Sequence, residues 1–174
     1  MTYTFWHRGI LIGESPLNAD SPEHPGHRTG DFYPTKHGLT VFPRLAGYLT
    51  ASHEVRMHLD ENESCADDLE PDDVEALFNT FPAGRRYNDI VRALSEVEVQ
   101  ASDGTWLEVE SIVFTDVVEL RTLAHRFAVA GAIDPVDIPP EPPRQIVSAT
   151  FISRMPHDDI LVPELRRRGQ EADN

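Results

Sequence analysis

Residues His53 to His58 read HEVRMH, two histidines around a glutamate, which are the ingredients of a zinc site. The zinc-protease pattern H-E-x-x-H works because residues i and i+4 lie on one helix face. Here the histidines are five apart, about 140° round a helix, so they do not aim at one ion together. Glu54 and His58 are four apart and form an ordinary surface pair. A tighter grouping is His53, Arg56 and Asp60, which fall within about 60° of one another. Their face continues the apolar stripe of Phe42 and Leu49, so three polar side chains interrupt it. Such a cluster can line a pocket with His53 as the acid-base group. The chemistry it implies is that of a small metal-assisted hydrolase holding a divalent cation. The same three residues also suit a core boundary, with Arg56 and Asp60 as an i,i+4 ion pair.

A second set of candidates lies in SEVEVQASDGTWLEVESIVF, Ser95 to Phe114, whose period of two predicts a β-hairpin. A two-residue turn at Asp103-Gly104 would set Glu108 against Val99 and Glu110 against Val97. A three-residue loop, Ser102-Asp103-Gly104 with Gly104 left-handed, pairs Val99 with Leu107 and Val97 with Val109. That register gives one apolar face and is the one expected. Its consequence is that Glu98 opposes Glu108 and Glu96 opposes Glu110, with Gln100 and Trp106 nearer the turn. Like charges about 5 Å apart at Cβ repel. Arginines such as Arg85, Arg86 or Arg92 could neutralise them. Otherwise the four acids form a docking face for a cation or a basic protein, with Trp106 as aromatic anchor.

The acidic run from Asp60 to Asp73 places Asp60, Asn62, Ser64 and Asp68 at calcium-loop spacing. Cys65 stands where that loop needs glycine, and Pro71 where it needs a bidentate glutamate, so a solvated linker is expected. HPGH at His24 to His27 and HDD at His157 to Asp159 sit in loops and could donate metal ligands, but eight histidines scattered over 174 residues produce such pairs without meaning. Gly13-Glu14-Ser15 begins a hydrolase elbow, but Leu17 replaces its closing glycine. There is no glycine-rich phosphate loop and no basic stripe with aromatics.

The whole chain sets the background for these residues. Its 174 residues suit one domain, and 30 Asp and Glu against 15 Lys and Arg give a net charge of −15. That field repels nucleic acid and anionic lipid and attracts cations and basic proteins. Lys36 is the only lysine. The single cysteine, Cys65, excludes an intrachain disulfide, and its acidic neighbours disfavour a reactive thiolate. No apolar run approaches a membrane span, and the first residues lack a secretory signal's apolar core. The expected location is the cytoplasm.

Tyr3 to Trp6 and Ile10 to Ile12 predict a hairpin around His7-Arg8-Gly9. Residues 14 to 38, with four prolines and three glycines, read as a long loop that could serve as a lid. A helix is expected from about Leu39 to Leu59, starting near Phe42 because Pro43 belongs in a first turn. A second helix opens at Pro71 with Asp72 and Asp73 at its positive end, and a third spans about Gly84 to Leu94. After the glutamate hairpin, Asp116 and Glu119 resemble a capping box for a fourth helix ending near Gly131. DPVDIPPEPP is a stiff connector, QIVSATFI a final strand, and residues 154 to 174 a polar tail.

The order β-β-α-α-α-β-β-α-β implies an α+β domain over residues 1 to 153, with a largely antiparallel sheet of about five strands. Two readings of function follow. The first is a non-enzymatic binding protein that engages a positively charged protein through Glu96, Glu98, Trp106, Glu108 and Glu110, with no cofactor. The alternative is the hydrolase at His53, Arg56 and Asp60.

Overall fold

The computed structural model describes residues 1–19, 26–62, 69–129 and 144–152. The fold is α+β, with antiparallel strands in two sheets and five helices among the described residues. β1 (Tyr3–His7) and β2 (Ile10–Ser15) form the expected hairpin. Arg8 and Gly9 have φ of 52° and 75°, the positive pair that a two-residue turn between right-twisted strands requires. The register slips between Phe5 and Trp6, leaving Ile12 as the extra residue. Ile12 and Gly13 are both buried there, as a β-bulge allows for neighbours in one strand.

Residues 14–38 are a correction. Instead of a long loop they hold the end of β2, then β3 (Asn18–Ala19), β4 (His27–Asp31), β5 (Tyr33–Pro34) and the start of a helix. The segment HRTGD has no apolar residue, so nothing in its own pattern announces a strand. It is held by pairing with β9 (Gln145–Phe151), which brings the buried Val147, Ala149 and Phe151.

The helix expected over Leu39–Leu59 is two helices, α1 (Lys36–Leu45) and α2 (Tyr48–Glu61), broken at Gly47 with φ 87°. Thr35 starts α1 upstream of the expected point. Its Oγ1 accepts from Gly38 N at 3.0 Å and donates to the Leu11 carbonyl at 2.9 Å. Pro43 therefore sits in the last turn of α1. It withholds only the bond to the carbonyl of the exposed Leu39 before the helix ends.

α2 lacks a capping side chain of its own. Glu119 supplies one from α5 (Val117–Val129). Its Oε1 accepts from Thr50 N and Oγ1 at 3.1 and 2.8 Å, and its Oε2 from Gly47 N at 3.3 Å and Thr115 Oγ1 at 2.6 Å. A carboxylate suits the positive end of α2. Asp116 does cap Glu119 N at 2.6 Å, so half of the expected capping box forms. The other half is diverted to α2. Glu119→Ala should cost about 2 kcal/mol, because four donors lose a charged acceptor. Thermal unfolding followed by circular dichroism measures it, and an unchanged midpoint would remove this cap from the account.

α3 (Pro71–Phe78) begins with Pro71, Asp72 and Asp73 as expected. α4 (Pro82–Ser95) begins two residues before Gly84. Val55, Phe78 and Phe81 form a small second core between α2, α3 and α4. β6 (Val97–Ala101), β7 (Trp106–Leu107) and β8 (Val109–Asp116) complete the strands.

The strand orders are β5-β2-β1-β6-β7 in the first sheet and β3-β4-β9-β8 in the second. The chain passes between them at Pro16-Leu17, at Phe32 and at Glu108, all short links between strands of different sheets. Phe5, Val97 and Val99 from the first sheet meet Phe114, Val147 and Phe151 from the second, and Phe42 and Leu45 of α1 close the core. Among the described residues no helix is long and apolar enough to cross a membrane. Gly131, the DPVDIPPEPP connector and the polar tail lie outside the described residues.

Candidate functional site

The three-residue turn forms as expected. Val99 pairs with Leu107 and Gln100 with Trp106, and Gly104 has φ 89°. The pairing stops there. Beyond Glu108 the chain enters the second sheet, where Val109 pairs with Phe151 rather than Val97. The registered pairing therefore does not extend to Glu98 with Glu108 or to Glu96 with Glu110.

Each glutamate has its own surroundings. Glu96 ends α4, and its carboxylate takes a two-pronged bond from Arg8, Nε to Oε2 at 2.7 Å and Nη2 to Oε1 at 2.8 Å. His7 Nε2 lies 3.1 Å from the same Oε2. The Arg8 hydrogen bonds hold the Glu96 carboxyl below the usual carboxylate range, against the opposing effect of desolvation. Glu96 in turn raises the Arg8 pKa. The neutralising arginine is thus Arg8, from the far hairpin, and not Arg85, Arg86 or Arg92. Glu98 sits opposite Trp6 on β1. Glu108 occupies the crossover, its carbonyl accepting from Ile152 N at 3.2 Å. Glu110 lies on β8 at an irregularity between Val109 and Ser111.

A different surface is assembled in place of the facing pairs. Registered partners across antiparallel strands share a face. Pairings Thr4–Glu14, Trp6–Leu11, Thr4–Gln100, Trp6–Glu98, Gln100–Trp106 and Glu14–Tyr33 therefore define the outer face of the first sheet. Both tryptophans of the protein are on it. Trp6 and Trp106 meet edge to face with centroids 5.8 Å apart, and Trp6 Nε1 donates to Thr4 Oγ1 at 3.1 Å. Trp106 is 43% exposed and Tyr33 55%. Alternation in TYTFW puts Thr4 and Trp6 on one side of a strand, but nothing local indicates that β1 pairs with β6. That pairing is what brings Trp6 to Trp106.

The second candidate set is not gathered. His53 and His58 border a hollow of about 350 Å³ together with Glu54 and Glu61, but Arg56 and Asp60 do not line it. His53 packs on Phe127 at 5.0 Å, and His58 stacks on Phe81 at 4.0 Å. Arg56 and Asp60 are exposed and share no ion pair. Among the described residues no three His, Cys, Asp or Glu stand close enough together to hold a metal ion. Ser15 is fully buried on β2, away from any substrate. Ser64, Cys65 and Asp68 of the acidic loop, His24 of HPGH and all of HDD lie outside the described residues.

Comparison with protein-family models, with curated proteins and with solved structures finds no match.

Proposed function

We propose that the chain is a non-enzymatic binding protein that receives a positively charged protein on the outer face of its five-stranded sheet. The observation that carries this is the Trp6–Trp106 pair on a face that also bears Glu14 and Glu98. Aromatic rings supply contact area and attract guanidinium or ammonium groups. The carboxylates and the net charge of −15 speed the approach of a cationic partner. Relative to the docking face expected from the hairpin alone, Trp106 and Glu98 stay and Trp6 and Glu14 join, while Glu96 lies at the end of α4 instead.

The test is affinity capture of host proteins at low ionic strength, followed by quantitative binding of any captured protein to variants. Trp6→Ala with Trp106→Ala should weaken a true partner by about 2 kcal/mol, roughly thirtyfold. Glu14→Gln with Glu98→Gln should flatten the salt dependence. A captured protein indifferent to both pairs of substitutions and to salt would remove the proposal.

A further inference from the structure

We propose that the cleft between α1, α4 and the β1–β2 turn binds a small phosphate-bearing molecule with an apolar body. The cleft is about 650 Å³, within the range of small-ligand sites. Arg8, Arg44, Arg85, Arg86 and Arg92 line it, five of the fifteen cationic residues of a strongly acidic chain. They arrive from three separate elements: Arg8 from the hairpin turn, Arg44 from the last turn of α1, and three from α4. Only two carboxylates, Asp89 and Glu96, share the lining. Five against two leaves three positive charges. Counting Glu54 and Glu75, which reach Arg86 at 3.4 Å and Arg92 at 3.0 Å from outside, still leaves one.

Partners within the fold account for part of this placement: Arg8, Arg86 and Arg92 pair with Glu96, Glu54 and Glu75, and Arg44 lies in the last turn of α1, where a cation is favoured. Arg85 and Arg86 are the fourth and fifth residues of α4. Arg8 adopts a left-handed backbone that a non-glycine side chain rarely takes. Its guanidinium is fixed in direction by the two bonds to Glu96. Arg44 makes no hydrogen bond or ion pair with any described residue, and Arg85 bonds only the Asn79 carbonyl, at 3.0 Å. Among the described residues neither of these two guanidinium groups holds a carboxylate.

The chemistry of the ligand follows from the lining. Guanidinium groups supplied to one cleft by three elements suit a tetrahedral anion with three acceptor oxygens, whereas one fork already satisfies a carboxylate. Pro43, Ala46 and Ile90 provide an apolar floor for the rest of the molecule. The net charge of −15 repels a long polyanion, which favours a small ligand over nucleic acid. This site is independent of the tryptophan face, and neither proposal depends on the other.

Phenyl phosphate is a suitable probe, titrated into the full chain and followed by the arginine Nε–H resonances in NMR. Saturable binding is expected, with shifts at Arg44 and Arg85. Arg44→Gln, which loses no hydrogen bond or ion pair to a described residue, should weaken it by about tenfold, as should Arg85→Gln. Benzoate, which keeps the ring and replaces the phosphate, should bind at least as weakly as phenyl phosphate binds either variant. Failure to saturate, equal binding by Arg44→Gln and the unaltered chain, or benzoate binding as well as phenyl phosphate would each overturn the assignment.

Discussion

Phe114→Ala should lower the stability of the domain by about 4 kcal/mol, the usual cost of emptying a fully buried phenylalanine site. Phe114 has no solvent exposure. Its ring lies edge-on to Phe32 at 4.9 Å, to Phe5 at 5.8 Å and to Phe42 at 6.3 Å. Those neighbours come from the β4–β5 link, from β1 and from α1. One side chain of the second sheet thus joins the first sheet, the crossover and a helix. Removing it leaves a cavity that those elements cannot close without moving apart. For a chain of this size the melting temperature should fall by roughly 10 °C or more. Thermal and urea unfolding both measure the effect. A loss below about 1 kcal/mol, the level of a tolerant site, would mean that this aromatic cluster is not the joint between the sheets.

Gly38→Ala tests how α1 is docked on the first sheet. Alanine inside a helix ordinarily gains about 1 kcal/mol over glycine. Here a methyl group would overlap the Ile12 carbonyl oxygen, with the carbonyl carbon at 2.8 Å and Pro34 Cβ at 3.1 Å. The obstacle is backbone, so no rotamer change relieves it. Thr35 ties the same helix end to β2 through the Leu11 and Ile12 carbonyls. The expected result is a loss of about 3 kcal/mol despite the better helix propensity. Since α1 and the residue that ends it carry Pro43, Arg44 and Ala46 of the arginine cleft, phenyl phosphate binding should weaken along with stability. A variant as stable as the unaltered protein would show that α1 does not lie on β2 in this way.

Both results depend on contacts between residues far apart in sequence, and that is where legibility ends. Elements with strong local signals were readable: the hairpin at Arg8-Gly9, the Ser102-Asp103-Gly104 turn with its register, and the helix opened by Pro71. Pro43 misled because its position in a helix depends on where the helix starts, and Thr35 lies within a stretch that reads as loop. β4 was unreadable because HRTGD buries nothing itself and borrows its stability from β9. The acidic face was misplaced by one event, the passage of the chain from one sheet to the other at Glu108. Period-two alternation continues through that residue, so the pattern is the same whether or not the partner strand changes.

The sequence by itself determined the α+β class, the strongly acidic character and the hairpin turns at Gly9 and Gly104, because these depend on residue type and short-range geometry. The tertiary structure alone decided which charges meet. Arg8 holds Glu96 across 88 positions, Glu119 caps a helix 69 to 72 residues earlier, and Trp6 finds Trp106 only through the pairing of β1 with β6. Side chains reach only a few ångströms, so their partners are set by how the strands and helices pack, and local periodicity carries no record of that.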